Sequence, residues 1–248
     1  MTQSTVIRET SPLAAAPVAE PCALPASKIA ITIPAYQAGP SVGDVVRRSL
    51  NILPTVLVVN DGSTDNTAAA AEEAGAEVIS FSANRGKGDA LETAFGELFG
   101  RGFAAVITVD ADGQHLPEEI PILLAEATTE TDLILGTRDH LFAEMGRVRR
   151  FSNQLSSRAI AMVAGQTLSD IQTGFRLYSR RLIEAVGFPE ARFEAESAVV
   201  VRAIRRGFNV RAVPVRLGFA DGRLTSHYRP IADSLRIAAA VTNARFES

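Results

Sequence analysis

The stretch Ala104-Ala105-Val106-Ile107-Thr108-Val109-Asp110-Ala111-Asp112-Gly113-Gln114-His115 runs from an apolar, partly β-branched segment directly into polar side chains. A short apolar run of this kind predicts a buried strand. Asp110, Asp112 and Gln114 follow at every second position, so in extended backbone their side chains point the same way. Two adjacent carboxylates repel each other unless a positive charge lies between them, and hard divalent cations prefer oxygen ligands. We therefore expect these three residues to bind a metal ion; the alternative is an acidic turn after the strand.

Outward from this stretch, strand and helix patterns alternate along the first half of the chain. The predicted strands cover residues 28–34, 54–60, 77–81, 104–110 and 132–136, and the predicted helices cover 41–51, 67–74, 87–100 and 117–128. Ser41 is a plausible N-cap of the first helix. This alternation over short connections predicts an α/β domain with a mostly parallel central sheet flanked by helices. Ligands of such sheets bind at the carboxyl ends of the strands, where Asp61 and Asp110 fall.

Composition indicates an ordinary globular protein. The chain has 248 residues, of which 46% are hydrophobic and 21% are charged. Residues 1–27 are rich in Ala, Pro, Ser and Thr without periodicity, which predicts a flexible leader. We expect residues 28–248 to form one domain, with a nucleotide- and metal-binding half (28–139) and an acceptor-side half (140–248).

The net charge of −3 hides a division between these halves. Residues 1–139 contain 8 Lys and Arg against 19 Asp and Glu, whereas residues 140–248 contain 17 Arg against 9 Asp and Glu. The first half can therefore hold a cation and the second half anions, as a phosphorylated substrate lying between them would require. The basic residues are not interleaved with aromatic ones, so no nucleic-acid partner is expected.

Several features bear on the cellular location. Cys22 is the only cysteine, which excludes an internal disulfide framework and fits a reducing compartment. No apolar run approaches the ~20 residues of a membrane-spanning helix, and the N-terminus lacks the pattern of a secretion signal. Residues 145–164 predict a basic amphipathic helix that either lies on an anionic membrane or packs on the sheet. We expect a cytoplasmic protein that contacts the inner face of the cell membrane peripherally; the oligomeric state stays open.

Three further segments of the first half carry binding chemistry. Pro34 closes the first strand because it lacks an N–H, and Tyr36 is then placed to border a nucleotide base. Asp61, at the end of the second strand, can accept hydrogen bonds from the N–H groups of uracil or guanine. Gly86 and Lys87 precede a helix N-terminus, whose unpaired N–H groups suit a phosphate. Ser63 and Thr64, which follow Asp61, are turn residues or caps of the helix predicted at 67–74.

The basic half offers its own candidates. Gln172, Thr173 and the backbone of Gly174 can bond sugar hydroxyls, and Arg176 can make bidentate hydrogen bonds to a phosphate. Glu196, in the segment Phe193-Glu194-Ala195-Glu196, is either a charge that complements a helix dipole or a catalytic or acceptor-site residue.

The segment Ser226-His227-Tyr228-Arg229 adds three more candidates. Ser226 and Arg229 are expected near the donor. His227 is expected either to bind the metal or to contact a phosphate, although a lone histidine is more often structural.

Taken together, these segments resemble the family 2 glycosyltransferases, and within them the dolichol-phosphate mannose synthase-like, polyprenyl-phosphate glycosyltransferase branch. The resemblance covers about residues 28–217 and rests on segments that keep the family's order: IPAY, VVNDGSTDNT, NRGKGDAL, DADGQHLP, DLILGTR and DIQTGFRLY. It implies a GT-A (Rossmann-like) fold, a nucleotide-sugar donor, Mg²⁺ or Mn²⁺, and inversion at the anomeric carbon.

The resemblance also implies roles by position. Pro34, Tyr36 and Asp61 would hold the nucleoside, and Gly86 and Lys87 would lie near the nucleotide. The remaining carried-over residues are Asp110, Asp112 and Gln114 for the metal, Arg176 for the phosphates, and Glu196 at an acidic position of the family. The acidic pair that often supplies a base for hydroxyl acceptors has no clear equivalent here. A phosphate acceptor is already a nucleophile, so this absence favours a lipid phosphate.

Two other functions compete with a glycosyltransferase. A nucleotidyltransferase acting on a sugar phosphate also combines an α/β fold with paired carboxylates, but it would carry a Gly-rich basic loop after the first strand. The sequence there is PAYQAGP, without Arg or Lys. A non-catalytic nucleotide-sugar sensor would not need the full set of ligand types.

Overall fold

The computed structural model describes residues 24–137, 171 and 173–217. The strands are β1 (Ile29–Ala35), β2 (Val56–Asn60), β3 (Glu77–Ser80), β4 (Ala105–Thr108), β5 (Leu133–Thr137), β6 (Arg176–Ser179) and β7 (Val210–Pro214). The helices are α1 (Gly39–Leu50), α2 (Thr67–Glu73), α3 (Lys87–Gly100), α4 (Ile120–Glu126), α5 (Arg180–Val186) and α6 (Glu194–Arg205). Short 3₁₀ turns precede β1 (Ala26–Lys28) and α4 (Pro117–Glu119).

These strands pair into one sheet in the order β3-β2-β1-β4-β6-β5-β7. All neighbours are parallel except β6, which runs antiparallel to both β4 and β5. The prediction of a mostly parallel sheet flanked by helices is therefore confirmed. The antiparallel β6 shows no alternation of apolar and polar residues. The sequence predicts none of β6, β7 and α5.

Two apolar layers cover the sheet. One layer joins the sheet to α3, α5 and α6 around Phe95, Tyr178 and Phe188. The other joins it to α1, α2 and α4 around Val42, Ile107 and Phe175. Since β1, β2 and β4 are covered on both faces, their sequences are continuous apolar runs rather than alternating ones.

The predicted elements of the first half exist, with shifts at their ends. The largest shift concerns the predicted helix 117–128, which is a 3₁₀ turn followed by the shorter α4. Ser41 does not cap α1, because the helix already begins at Gly39, with Pro40 in its first turn. Ser63 and Thr64 do not cap α2 either; their hydroxyls accept hydrogen bonds from the backbone and side chain of Gln37.

Pro34 does not end the pairing of β1, contrary to the prediction. The strand continues to Ala35, which lies opposite Asn60 of β2. The carbonyl of Thr32 accepts a hydrogen bond from the N–H of Val109, on the β4 side. Pro34 lies two residues further and faces the same side, beyond Thr108 where β4 has ended. The missing N–H therefore costs no ladder hydrogen bond.

The predicted leader (residues 1–27) lies outside the described residues except for its last four positions. The predicted basic helix 145–164 lies outside them entirely. The division of the chain into a leader and one domain stays a prediction.

Candidate active site

The carboxyl ends of β1, β2 and β4 meet at one edge of the sheet, and the polar residues that follow them meet there too. Tyr36 follows β1, Asp61 follows β2, and Asp110 follows β4. Because the loops after parallel strands cluster at this edge, the topology alone brings together residues that are far apart in sequence.

Asp110 is the centre of an ionic cluster. Its Oδ1 lies 2.7 Å from Nζ of Lys87, and its Oδ2 lies 3.3 Å from Nδ1 of His115. Lys87 in turn reaches Oε2 of Glu196 at 2.9 Å. The first turn of α3 and the first turn of α6 thus meet at the end of β4, and a single ammonium group forms ion pairs with two carboxylates.

The charges of this cluster shift its pKa values strongly. Burial alone would raise the pKa of Asp110, but the ammonium of Lys87 and the imidazole of His115 hold it well below its usual range. Burial would lower the pKa of Lys87, but Asp110 and Glu196 raise it instead. Both groups are therefore ionised at neutral pH.

Asp112 differs from its neighbour. Burial, and then the negative charge of Asp110, raise the pKa of Asp112, although a hydrogen bond from the backbone N–H of Gln114 (2.9 Å) opposes this. The backbone between the two aspartates is held by α1, since the Ser41 hydroxyl donates to the carbonyl of Ala111 at 2.7 Å. The structure therefore fixes two carboxylates near each other with insufficient local positive charge for both.

This donor set fits a hard divalent cation. Carboxylate and amide oxygens are the ligands that such ions prefer, and the raised pKa of Asp112 marks a place where added positive charge would stabilise the ionised form. Among the described residues, no group of three or more His, Cys, Asp or Glu is arranged to hold a metal ion. The remaining ligands would therefore be substrate phosphates and water, which is the usual arrangement for Mg²⁺.

Asp61 holds a neighbouring loop. Its carboxylate accepts hydrogen bonds from the side chain of Asn84 (2.9 Å) and from the backbone N–H groups of Arg85 (2.6 Å) and Gly86 (2.9 Å). Burial nevertheless raises the pKa of Asp61. The same carboxylate that we expect at the nucleoside thus fixes the loop that leads into Lys87.

The backbone of residues 190–191 lies against the N-terminus of α3, the segment that the sequence predicts to suit a phosphate. A Cβ on Gly88 would lie 1.9 Å from the carbonyl oxygen of Glu190, and one on Gly86 would lie 2.4 Å from that of Ala191. The N–H of Asp89 donates to the Ala191 carbonyl. The two glycines serve the approach of the 190–191 backbone, which covers the start of the helix.

Two predicted site residues of the basic half, Arg176 and Thr173, form hydrogen bonds within the protein. The fully buried guanidinium of Arg176 donates to the carbonyls of Thr173 (2.7 Å), Glu196 (2.5 Å) and Ile171 (2.7 Å), and to the hydroxyl of Tyr178. Thr173 is itself fully buried, and its hydroxyl accepts from the N–H of Phe175. Both residues thus shape the turn beside Asp110, and the contacts of Arg176 with phosphates and of Thr173 with a sugar stay predictions.

Sequence reasoning gave no role to one member of the site, His115, whose Nδ1 lies 3.3 Å from Oδ2 of Asp110. Gly174, expected to bond sugar hydroxyls through its backbone, packs directly against the same carboxylate. His115 stands at the end of the stretch that predicted the metal ligands, one residue after Gln114. This position is the sequence feature that could have identified it as a site residue. Gln172, Ser226, His227 and Arg229 lie outside the described residues.

Comparison with known proteins identifies the family. The profile of Glycosyl transferase family 2 matches residues 30–187. The chain belongs to this family. The fold agrees: glucosyl-3-phosphoglycerate synthase from Mycobacterium tuberculosis, in complex with Mn²⁺, UDP and phosphoglyceric acid, superposes with a TM-score of 0.70 at 17% identity. That match covers 89% of this chain and 79% of the other, which confirms the GT-A fold.

Two of the curated relatives that this family 2 chain matches are named for a polyprenol or for undecaprenyl phosphate. Polyprenol monophosphomannose synthase from Mycolicibacterium smegmatis is 28% identical over 208 residues, covering 77% of each chain. An undecaprenyl-phosphate 4-deoxy-4-formamido-L-arabinose transferase from an Enterobacter species is 30% identical, over 64% of this chain and 51% of its own. Glycosyltransferase AglJ from Haloferax volcanii is 30% identical, and the match spans 75% of this chain and 61% of AglJ. The resemblance to the polyprenyl-phosphate branch is confirmed.

Proposed function

We propose that this family 2 member is a metal-dependent, inverting glycosyltransferase that moves a sugar from a nucleotide-sugar donor, GDP-mannose or a UDP-hexose, to a polyprenyl phosphate. The observation that carries the proposal is the ionic cluster at the end of β4, where Lys87 joins Asp110 to Glu196 beside Asp112. This cluster provides carboxylates that would bind a cation. Its ammonium group, from Lys87, also contacts Glu196 in the other half of the domain.

At the donor end, Asp110 and Asp112, with Gln114, would hold Mg²⁺ or Mn²⁺. The cation would neutralise the diphosphate and so stabilise it as a leaving group. Solved structures of similar fold support this assignment, since glucosyl-3-phosphoglycerate synthase has been crystallised with Mn²⁺ and with Mg²⁺ together with UDP. Pro34, Tyr36 and Asp61 would border the nucleoside, because Pro34 is the second-last residue of β1 and Tyr36 and Asp61 follow β1 and β2 at the same edge.

On the sugar side of the site, Glu196 is the side chain best placed to accept a hydrogen bond from the sugar of the donor. Its side chain is only 6% exposed, and Lys87 holds one carboxylate oxygen. The other oxygen, Oε1, is buried without a hydrogen-bond partner among the described residues. A buried acceptor that lacks a donor costs free energy, so a sugar hydroxyl that donates to Oε1 would stabilise the complex.

The acceptor proposal rests on charge and on the relatives. Arg residues dominate the second half of the chain, and relatives named for polyprenol and undecaprenyl phosphate share its family. A phosphate oxygen would attack the anomeric carbon and form the new C–O bond. The bond from that carbon to the diphosphate oxygen would break on the opposite side, and the nucleoside diphosphate would leave with the electron pair. An ionised phosphate has no proton to lose, so no general base is needed.

One structural finding bears on membrane contact. No helix within the described part of the chain is long and apolar enough to cross a bilayer. We propose that the lipid acceptor is met at the membrane surface, and the predicted basic segment 145–164 is the candidate for that contact.

The first test is a thermal-shift panel with GDP-mannose, UDP-glucose, UDP-N-acetylglucosamine and nucleoside triphosphates, each with Mn²⁺ or EDTA. A ligand that binds only the folded chain raises its melting temperature. A metal-dependent shift with one nucleotide sugar, followed by sugar transfer to undecaprenyl phosphate in detergent, is the expected result. A shift only with triphosphates would favour the nucleotidyltransferase, and donor binding without transfer to any acceptor would favour the sensor.

A further inference from the structure

His115 is a buried residue beside the ionic cluster that the proposed chemistry does not yet use. Its side chain is 2% exposed. Its backbone forms an isolated antiparallel bridge with Leu217, beyond β7, so the segment after Asp112 is tied to the far side of the sheet. A histidine held in this way has a fixed position relative to Asp110.

The imidazole ring is also fixed in orientation. It stacks on the ring of Phe175 with centroids 5.5 Å apart and planes inclined by 20°. Phe175 is fully buried, and its carbonyl accepts the N–H of Gly136 in β5. Because the Phe175 ring cannot move without disturbing the core, the plane of the imidazole is set by the packing.

The ring presents one nitrogen to Asp110. Nδ1 lies 3.3 Å from Oδ2, within ion-pair distance but without the alignment of a full hydrogen bond. Neither ring nitrogen has another hydrogen-bond partner among the described residues. Lys87 contacts the other oxygen, Oδ1, so each oxygen of Asp110 has its own neighbour. Such contacts are often long in a ligand-free site and tighten when the substrate binds.

We propose that His115 is a positioning residue for Asp110: its ring donates the Nδ1 proton to Oδ2 and thereby holds the carboxylate in the orientation that a metal–diphosphate complex requires. The inference rests on the proposed function, because it concerns how Asp110 is presented to the cation. Partners that orient a metal-binding side chain typically contribute 10- to 100-fold to metal affinity.

Three substitutions of His115 distinguish the effect of its Nδ1–H hydrogen-bond donor from the effect of its stacked ring. His115→Asn places an amide N–H near the position of Nδ1, whereas His115→Gln places it near the position of Nε2. His115→Phe keeps an aromatic ring to stack on Phe175 but has no donor. Thr32→Val serves as a stability control, since it removes a buried hydrogen bond to the Leu57 carbonyl on the neighbouring strands without touching Asp110.

The measurement is direct Mn²⁺ binding, by electron paramagnetic resonance of the free ion, with whichever of UDP or GDP stabilises the wild-type chain. Melting temperatures in EDTA are recorded for every variant. We expect the Mn²⁺ dissociation constant to rise by about tenfold or more in His115→Phe and His115→Gln. His115→Asn should keep most of the wild-type affinity, and Thr32→Val should bind Mn²⁺ as the wild type does.

The outcomes are distinguishable. Wild-type affinity in a folded His115→Phe chain would overturn the positioning role while leaving the proposed function intact. Equal weakening in His115→Asn, His115→Phe and the control, in step with their melting temperatures, would also overturn it by showing a purely structural effect. A wild-type chain that binds no Mn²⁺ with either nucleotide would overturn both proposals.

Discussion

Gly174 lies so close to Asp110 that no side chain fits between them. A Cβ built on Gly174 would come within 2.4 Å of Oδ2 and 2.5 Å of Oδ1 of the Asp110 carboxylate. The carbonyl of the same glycine accepts a hydrogen bond from the Thr108 hydroxyl at 2.7 Å, which fixes its backbone to β4. The turn before β6 therefore limits the positions that the Asp110 carboxylate can take.

The substitution Gly174→Ala should displace the Asp110 carboxylate, because the backbone at 174 is tied to β4 and cannot retreat. We expect at least about a tenfold loss of metal-dependent transfer, by analogy with the loss of a group that orients a metal ligand. Steady-state assays at varied Mn²⁺ would show the loss as a higher metal requirement. Gly96→Ala is the matched control, since its Cβ would meet nothing within 4 Å and alanine favours the α3 helix. Equal activity of the two variants would contradict this interpretation.

Asp112→Asn should separate stability from metal binding. Burial and the charge of Asp110 raise the pKa of Asp112, so its ionisation costs stability as pH rises through the pKa of the folded state. In EDTA at neutral pH the variant should be as stable as the wild type or more so, and this difference should vanish in acid. Its metal-dependent thermal shift should be lost.

Urea unfolding in EDTA and thermal shifts with Mn²⁺ measure these two effects of Asp112→Asn. Asp44→Asn, at an exposed residue paired with Arg48, is the control and should change neither. An Asp112→Asn chain that keeps the wild-type response to Mn²⁺ would exclude this residue from the metal site.

Arg176→Lys tests whether this arginine is structural. Lysine cannot reproduce the fork that reaches three backbone carbonyls, so buried acceptors would lose their donors. We expect a loss of about 3 kcal/mol in the free energy of unfolding, measured with urea. The donor KM of the remaining folded enzyme should be unchanged. A raised donor KM with normal stability would instead restore the predicted phosphate contact.

Tyr178 should make the chain sensitive to alkali. Burial raises the pKa of its hydroxyl to about 12, from an ordinary value of about 10. A raised pKa in the folded state means that the stabilisation is present below pH 10 and is lost as pH rises towards 12, at about 1.4 kcal/mol per pH unit. Tyr178→Phe should cost about 1 kcal/mol at pH 8 through the lost contact with Arg176.

The Tyr178→Phe chain should therefore lose less stability than the wild type between pH 10 and 11.5, and the order of the two stabilities should reverse. Urea unfolding followed by circular dichroism across this range would show the reversal. Parallel pH profiles of the two chains would contradict the prediction.

Local sequence patterns were sufficient to predict a strand or helix where one apolar run forms one such element. The helix 87–100 has the predicted bounds, and β1, β2 and β4 begin and end within two residues of prediction. Their apolar runs are continuous and buried on both faces, and polar residues come next at Tyr36, Asp61 and Asp110. In contrast, β6 consists of Arg176, Leu177, Tyr178 and Ser179, and no periodicity distinguishes these four residues from a loop. Pairing with β4 and β5 makes them a strand, and pairing is a tertiary property.

The sequence by itself determined the family, the parallel core and the edge of the sheet where the polar residues cluster, because motif order and apolar periodicity are local properties. Only the tertiary structure decided what each polar side chain does there. Arg176 looks like a phosphate ligand in sequence, yet the fold surrounds it with carbonyls, whereas Lys87 and Glu196 are 109 positions apart and form an ion pair. A charged side chain takes its role from the groups that surround it after folding, and long-range packing brings those groups together.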